Sequence, residues 1–297
     1  MKLVVCGCSW SSRDPNNLDT EYGYYISKHF GWDYQNIARP ACDNFGIRLQ
    51  IDYAVKHLKA DFIIVNWTTP CRICWNNTGK EYNIQKGLSQ LSYDVETKAS
   101  DGSSEGNFTR KQHPEYPNDI PVITSQSLVS ILENNLSCTY EEACYNWWML
   151  DQYFTESQFY AFRKWYLNMY DHDLEAHKQI YMMQGAVHQM QQNNINFLFC
   201  PNTFSFKQTQ TNLSSSDPAN RPTLSIDGFL WDFVPEKNLL EPGISSALQG
   251  DHKRMQEQGL DLEPGTNYTH HLSPEAQEEW SNEFAIPKIQ ELLDNRL

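Results

Sequence analysis

A continuous apolar run at residues 62–65 is the feature that most constrains the fold. It reads Phe-Ile-Ile-Val and lies within residues 61–67, Asp-Phe-Ile-Ile-Val-Asn-Trp. A strand without polar alternation is typical of a parallel sheet that helices cover on both faces. The run is also far shorter than the roughly 20 apolar residues that span a bilayer. We therefore expect a parallel sheet and no membrane partner.

Strand and helix patterns alternate on both sides of this run. Residues 3–6 and 33–38 predict two earlier strands, and residues 196–200 predict a later one. Residues 21–30 and 44–58 predict helices, the second with apolar positions at the 3–4 spacing of an amphipathic helix. The order β-α-β-α-β predicts an α/β fold, a three-layer, doubly wound parallel sheet.

Residues 70–155 interrupt this alternation. Polar residues with Asn, Gly, Ser and Pro dominate residues 76–122, whereas helical spacing prevails over residues 125–193, with Asp173 as a candidate N-cap between two helices. We interpret residues 70–155 as a largely helical insertion rather than an independent domain, because strand signals resume after it. The 297 residues are thus expected to form one domain, a length that α/β domains can reach undivided.

Charge and cysteine usage narrow the class of protein. The net charge is −14 with no basic cluster, which argues against a nucleic-acid partner. The first residues enter a strand pattern with no secretory h-region, so we expect a cytoplasmic protein whose eight cysteines are mostly reduced. The single CxxC, residues 71–74, lacks a second pair of ligands at zinc spacing, and no Gly-rich phosphate loop occurs. We therefore expect neither a metal nor a cofactor.

Candidate functional residues follow the predicted strands. Ser9 follows the first strand, residues 41–44 follow the second, and residues 66–68 end the third. Ligands of open parallel sheets bind beyond the carboxyl ends of the strands. His271 precedes the last predicted helix, whose N-terminus can pack beside the same edge. Because a serine hydroxyl becomes a good nucleophile when an imidazole accepts its proton, Ser9 and His271 are the candidate nucleophile and base.

Four short segments resemble the sequence blocks of the SGNH (GDSL-like) hydrolases. Residues 4–10 resemble the first block, which carries the nucleophilic serine, and residues 36–44 resemble the second. Residues 65–69 occupy the place of the third block, and residues 271–275 resemble the last, which supplies the base. The whole chain looks most like SGNH-like proteins of tailed phages that infect marine bacteria. The resemblance implies the flavodoxin-like SGNH fold and an ester hydrolase.

The resemblance also implies roles for individual residues. The backbone N–H groups of Ser9 and Ala41, with a side chain of Asn66 or Thr68, would donate hydrogen bonds to the oxyanion. The family acts on esters from acetylated sugars to lipids, so we expect a small-molecule or carbohydrate ester, with an O-acetyl group as one candidate. The residues expected to contact this substrate are Trp10, Asn44, Trp67 and Arg72. Trp67 could equally pack the insertion onto the sheet, and Arg72 could equally form a salt bridge.

Several positions depart from the family pattern. Cys8 replaces the first-block Asp and is itself an alternative nucleophile, Ala41 replaces a Gly, and Thr68 replaces an Asn. Tyr268 stands three residues before His271, where the family has the Asp that orients the base. Two functions therefore stay open. One is a serine ester hydrolase with a Ser-His dyad or degenerate triad, and the other is a catalytically inactive SGNH-like binding or virion-associated protein.

Overall fold

The fold is α/β, with a four-stranded parallel sheet as its centre. The computed structural model describes residues 1–8, 11, 20–38, 42–68, 74–76, 93–97, 107–111, 122–124, 132, 135–146, 155–201, 234–240 and 274–295. Its strands are β1 (Lys2–Cys6), β2 (Asp33–Asn36), β3 (Phe62–Trp67), β4 (Cys74–Asn76), β5 (Tyr93–Thr97), β6 (Asn107–Lys111), β7 (Val122–Thr124) and β8 (Asn196–Pro201). Its α-helices are α1 (Tyr22–Phe30), α2 (Asn44–Tyr53), α3 (Tyr140–Asn146), α4 (Glu156–Met169), α5 (His172–Gln192), α6 (Pro274–Trp280) and α7 (Ile286–Asp294).

The central sheet has the strand order β2-β1-β3-β8, and its three pairings are all parallel. The chain passes from β1 to β2 on one side and then to β3 on the other side of β1. The direction of winding thus reverses between β1 and β3, which is the point where open α/β sheets bind ligands beyond the carboxyl ends of the strands. We call the end of the sheet at which the carboxyl ends of the parallel strands lie the carboxyl edge.

Helices cover both faces of the sheet because the strands bury side chains on both. Val4, Ile63 and Val65 pack in one apolar cluster with α2 and α5, whereas Leu3 and Ile64 pack in a second cluster with α1, α6 and α7. Successive strand residues point to opposite faces, so an unbroken apolar run is what two covered faces require. The sequence-based prediction of an α/β parallel sheet is confirmed at this level.

The predicted C-terminal helix is a single helical rod with one irregular turn. A π-helical turn, Ser281–Ala285, joins α6 to α7 just before Pro287. Ser281 in this turn is fully buried, and its hydroxyl donates to the carbonyl of Tyr22 at 3.2 Å. The Tyr22 N–H donates to Gln277 Oε1 at 2.9 Å. The C-terminal rod therefore holds both backbone polar groups at the first residue of α1.

The described part of residues 70–155 contains two antiparallel strand pairs and one α-helix, and the prediction of a largely helical insertion over the whole range stays a prediction. There β4 pairs antiparallel with β7, β5 pairs antiparallel with β6, and α3 is the only α-helix of three or more residues among the described positions. The helical periodicity after residue 125 belongs mainly to α4 and α5, beyond the insertion. Asp171, rather than Asp173, caps α5, because its side chain accepts a hydrogen bond from the Leu174 N–H at 2.8 Å. Among the described helices, none is both long enough and apolar enough to span a membrane.

Candidate functional site

The carboxyl edge of β1 and β3 brings several polar side chains into contact. Gly7 follows β1, and a Cβ at this position would lie 2.7 Å from Ser11 Oγ and 3.0 Å from Asn66 Cβ. Two neighbouring side chains occupy the space that a methyl group would need, so glycine is the residue that fits at position 7. The close approach sets Ser11 and Asn66 directly against the turn that begins at Gly7. Ser9 lies between Gly7 and Ser11 in the sequence.

Asn66 is the most unusual side chain at this edge. It lies on β3, has 0% exposure, and neither its Nδ2 nor its Oδ1 makes a hydrogen bond within the described part of the chain. An unpaired buried amide costs about 1–3 kcal/mol of stability. Thr68, two residues later, is also 0% exposed, and its Oγ1 has no partner among the described residues. Within the described part of the chain, the end of β3 thus presents buried donors and acceptors that have no hydrogen-bond partner.

Tyr22 links this region to the C-terminal rod. Its hydroxyl donates to Ser11 Oγ at 2.8 Å, and its ring lies edge-on to Trp280 with 5.1 Å between the centroids. Burial raises the pKa of Tyr22 well above its usual value, and the nearby Cys200 adds to this rise. Ser11 and Asn66 act on that pKa in the opposite direction, which indicates that the Asn66 amide faces the phenol. Tyr22 therefore remains a neutral hydrogen-bond donor across the ordinary pH range.

Gln50 on α2 holds the turn after β1. Its Oε1 accepts from the Gly7 N–H at 2.7 Å, and its Nε2 donates to the Gly7 carbonyl at 3.2 Å. The same Nε2 lies 3.3 Å from Cys42 Sγ, in the segment before α2. The Gln50 carboxamide thus bonds to both the N–H and the carbonyl of Gly7, as a paired strand would. Through Cys42 it also connects the segment after β1 to the segment before α2.

Asn44, the first residue of α2, binds the end of β3 in the same way. Its Oδ1 accepts from the Thr68 N–H at 3.0 Å, and its Nδ2 donates to the Thr68 carbonyl at 2.9 Å. Nδ2 also donates to Oε1 of Gln179, which α5 contributes. The amide that we expected to contact substrate is therefore engaged in holding Thr68, and its substrate-binding role stays a prediction.

A third carboxamide, Asn36 at the end of β2, completes the pattern. Its Nδ2 donates to the Ser11 carbonyl at 2.6 Å, and its Oδ1 accepts from the Ala38 N–H at 2.9 Å. Asn36, Asn44 and Gln50 thus all fix backbone groups, which satisfies buried peptide groups where the strands stop pairing. Asn66 differs from these three because its two polar atoms bind no backbone group of the described residues.

The remaining predicted site residues fall into two groups. Trp67 is 1% exposed and stacks on Phe199 of β8 with 5.8 Å between the ring centroids, so its described aromatic contact lies within the central sheet, and its substrate-binding role stays a prediction. Ser9, Trp10, Ala41, Arg72 and His271 lie outside the described residues. No group of three side chains that could hold a metal ion occurs in the described ranges.

The sequence-based interpretation missed Gln50, Tyr22 and Ser11. Gln50 carried a signal, because it lies three residues after Ile47 and four before Ala54, on the buried face of an amphipathic helix. A polar residue on an apolar face is usually held by a specific hydrogen-bond partner. Tyr22 and Ser11 carried no comparable signal, since their pairing depends on the packing of α1 against the sheet.

Comparison of the chain with models of known protein families, with curated proteins and with solved structures finds no match.

Proposed function

We propose that this protein is a serine hydrolase of the SGNH kind that cleaves an ester. Ser9 is the nucleophile, His271 is the general base, and the N–H groups of Ser9 and Ala41 with the side chain of Asn66 or Thr68 receive the oxyanion. The observation that carries the proposal is the fully buried Asn66 amide, which is unpaired among the described residues and packs against Gly7, two residues before Ser9 in the sequence.

The sheet order supports the flavodoxin-like SGNH fold. The order β2-β1-β3-β8 is the 2-1-3-4 arrangement of flavodoxin-like sheets, whose ligands bind at the β1/β3 switch point. Ser9 comes three residues after the end of β1, and Asn66 is the next-to-last residue of β3. A nucleophile and an oxyanion donor at these two positions therefore belong to neighbouring strands at the reversal point.

The C-terminal rod supports the assignment of the base. α6 begins at Pro274, three residues after His271, and three residues span at most about 11 Å. Gln277 in the first turns of α6 bonds to Tyr22, and the Tyr22 hydroxyl bonds to Ser11, two residues after Ser9. A short path of hydrogen bonds thus connects the neighbourhood of the proposed base to that of the proposed nucleophile.

The chemistry follows from these placements. His271 accepts the Ser9 proton as the hydroxyl oxygen attacks the ester carbonyl, and it returns the proton to the leaving alkoxide, which leaves the acyl group on Ser9. His271 then accepts a proton from a water molecule that attacks this acyl ester, and it returns the proton to Ser9 as the carboxylic acid leaves. The Asn66 Nδ2 donates to the oxyanion that develops in the tetrahedral intermediate. Because this amide is already desolvated and unpaired among the described residues, it needs no reorganisation, and such a donor contributes about 3–4 kcal/mol of barrier reduction. The substrate class that the family resemblance implies is a small-molecule or carbohydrate ester, including O-acetylated sugars.

Covalent labelling tests the proposal most directly. A fluorophosphonate probe should label the wild-type protein and leave Ser9→Ala unlabelled, with the site of the adduct found by peptide mass spectrometry. Ser137→Ala is the matched control, because Ser137 is an exposed serine whose hydroxyl donates to Asn135 Oδ1, and its loss should not change labelling. Absence of Ser9-dependent labelling, together with no turnover of p-nitrophenyl acetate, would exclude the hydrolase.

A second candidate function is a catalytically inactive SGNH-like binding or virion-associated protein. The observation that favours it is Tyr268, which stands where the family has the Asp that orients the base, and no carboxylate lies nearer upstream than Glu263. Losing the third triad member usually lowers turnover by orders of magnitude. A protein that resists the probe yet binds esters or sugars, with binding weakened by Asn66→Leu, would support this function.

A further inference from the structure

We propose that Gln50 is the positioning residue that fixes the turn after β1 against the loop before α2. The inference rests on the proposed function, since Gly7 comes two residues before Ser9 in the sequence and Cys42 comes directly after Ala41, and these are the two proposed backbone donors to the oxyanion. Gln50 itself touches neither substrate nor reacting atoms in this proposal. It acts through Gly7 and Cys42.

The geometry of the Gln50 contacts supports this role. Both polar atoms of its carboxamide bind one residue, Gly7, at 2.7 Å and 3.2 Å, so the amide plane and the Gly7 peptide groups are fixed in orientation as well as distance. The contact from Nε2 to Cys42 Sγ at 3.3 Å uses the remaining N–H. Gln50 is 5% exposed, so water cannot readily replace these bonds. The side chain therefore couples two loops that have no strand pairing at this point.

The position of Gln50 on α2 makes the coupling rigid. Ile47 and Ile51, on the same helix face, are fully buried against the sheet, which prevents the helix from moving independently of β1 and β3. Asn44 ties the first turn of α2 to Thr68 by two further bonds. Oxyanion donors must be held to within fractions of an ångström to be effective, and this helix supplies a fixed reference for them.

Two substitutions of Gln50 separate positioning from simple filling of space. Gln50→Leu keeps the approximate volume and removes all three hydrogen bonds. Gln50→Glu keeps an acceptor for the Gly7 N–H, and in its protonated form it also keeps a donor for the Gly7 carbonyl. Gln189→Leu is the matched control. Gln189 on α5 donates a hydrogen bond to Asp52 on α2, and it makes no side-chain hydrogen bond to the carboxyl edge among the described residues.

Hydrogen exchange of the intact protein measures the contact without reference to activity. The Gly7 amide should exchange at least about tenfold faster in Gln50→Leu than in the wild type, since its acceptor is lost, and should be unchanged in Gln189→Leu. Equal protection of Gly7 in the wild type and Gln50→Leu would overturn the proposal. Thermal unfolding of each variant establishes that the comparison is made on folded protein.

Kinetics measure the positioning. Gln50→Leu should lower kcat for p-nitrophenyl acetate by at least about tenfold with KM within about twofold, because misplaced donors weaken transition-state binding alone. The rate of Gln50→Glu relative to the wild type should fall as pH rises, because ionisation removes its donor to the Gly7 carbonyl. A pH-independent ratio, or an equal loss in Gln189→Leu, would refute the role. If the wild type shows no Ser9-dependent turnover, the proposed function fails, while hydrogen exchange still decides whether Gln50 holds the turn.

Discussion

Replacing Asn66 by leucine should make the protein more stable and less active. Asn66 has 0% exposure, and its two polar atoms have no hydrogen bond with any described residue. Leucine is close to asparagine in shape, so the substitution recovers the roughly 1–3 kcal/mol that an unpaired buried amide costs and adds a small apolar gain. Slight overpacking offsets part of this, usually by less than about 1.5 kcal/mol. We expect the free energy of unfolding to rise by about 1–2 kcal/mol.

Asn44→Leu is the matched control, because Asn44 is a second asparagine at the same edge with the same 0% exposure. Its removal leaves the Thr68 N–H, the Thr68 carbonyl and Gln179 Oε1 without that partner. Because each of the two Thr68 backbone groups left unpaired costs about 1–3 kcal/mol, we expect a loss of at least about 2 kcal/mol. Urea unfolding followed by tryptophan fluorescence, with linear extrapolation to water, measures both variants in one assay.

The activity of Asn66→Leu is the second half of this prediction. If the amide receives the oxyanion, kcat for p-nitrophenyl acetate should fall by about 100-fold or more while stability rises. A packing role cannot give opposite signs for stability and turnover. The reasoning about burial is refuted if Asn66→Leu loses stability as Asn44→Leu does. The role of Asn66 as the oxyanion donor is refuted if Asn66→Leu gains stability and keeps full turnover.

Three further predictions concern the packing of the sheet edge and the groups buried there. Gly7→Ala should destabilise the protein by about 1–3 kcal/mol in the urea assay, because its Cβ would meet a hydroxyl oxygen at 2.7 Å. Gly185→Ala, whose Cβ would meet nothing within 4 Å on a helix, should instead gain about 1 kcal/mol. Above pH 10.0, the usual tyrosine pKa, unfolded tyrosines release protons that the buried Tyr22 retains. The unfolding free energy should therefore fall with rising pH, and Tyr22→Phe should reduce this slope by up to about 1.4 kcal/mol per pH unit. Burial raises the pKa of Cys6, so iodoacetamide should modify it only after denaturation while the half-buried Cys144 reacts in the native protein.

The central sheet was predictable because its signal is local and strong. Strands β1, β3 and β8 are apolar over nearly their whole length, because helices cover both faces of the sheet. Their apolar runs are therefore enough to identify them in the sequence. The strands at residues 93–97 and 107–111 were not predicted, since they are short and polar and pair only with each other. A hairpin of this kind carries little apolar alternation to distinguish it from a loop.

The choice of capping and clamping partners could not be predicted from the sequence. Asp171 and Asp173 are equally suited to cap a helix by residue type, and the start of α5 decides between them. Asn44 and Asn66 likewise look alike in sequence, yet one binds a residue 24 positions away and the other binds no described residue. Such differences depend on how α2 packs against β3, and no local sequence pattern encodes that packing.

The Asn66 amide, which has no hydrogen-bond partner among the described residues, constrains both candidate functions. Each of the other carboxamides at this edge, such as Gln50 on Gly7, satisfies two backbone groups, so the local structure readily supplies partners to side chains that need them. Asn66 lies against the same residue, Gly7, and bonds to no described group. A bound molecule with an acceptor oxygen would pair with the Asn66 amide and remove the free-energy cost of burying it unpaired. Both a tetrahedral oxyanion and the carbonyl of a bound ligand supply such an oxygen. The two differ in Ser9 alone, because only the hydrolase requires its hydroxyl to be nucleophilic while Asn66 is satisfied. If the protein is a hydrolase, the double variant Ser9→Ala with Asn66→Leu should therefore lose no more turnover than Ser9→Ala alone. If it is a binding protein, Ser9→Ala should leave the contribution of Asn66 to affinity unchanged.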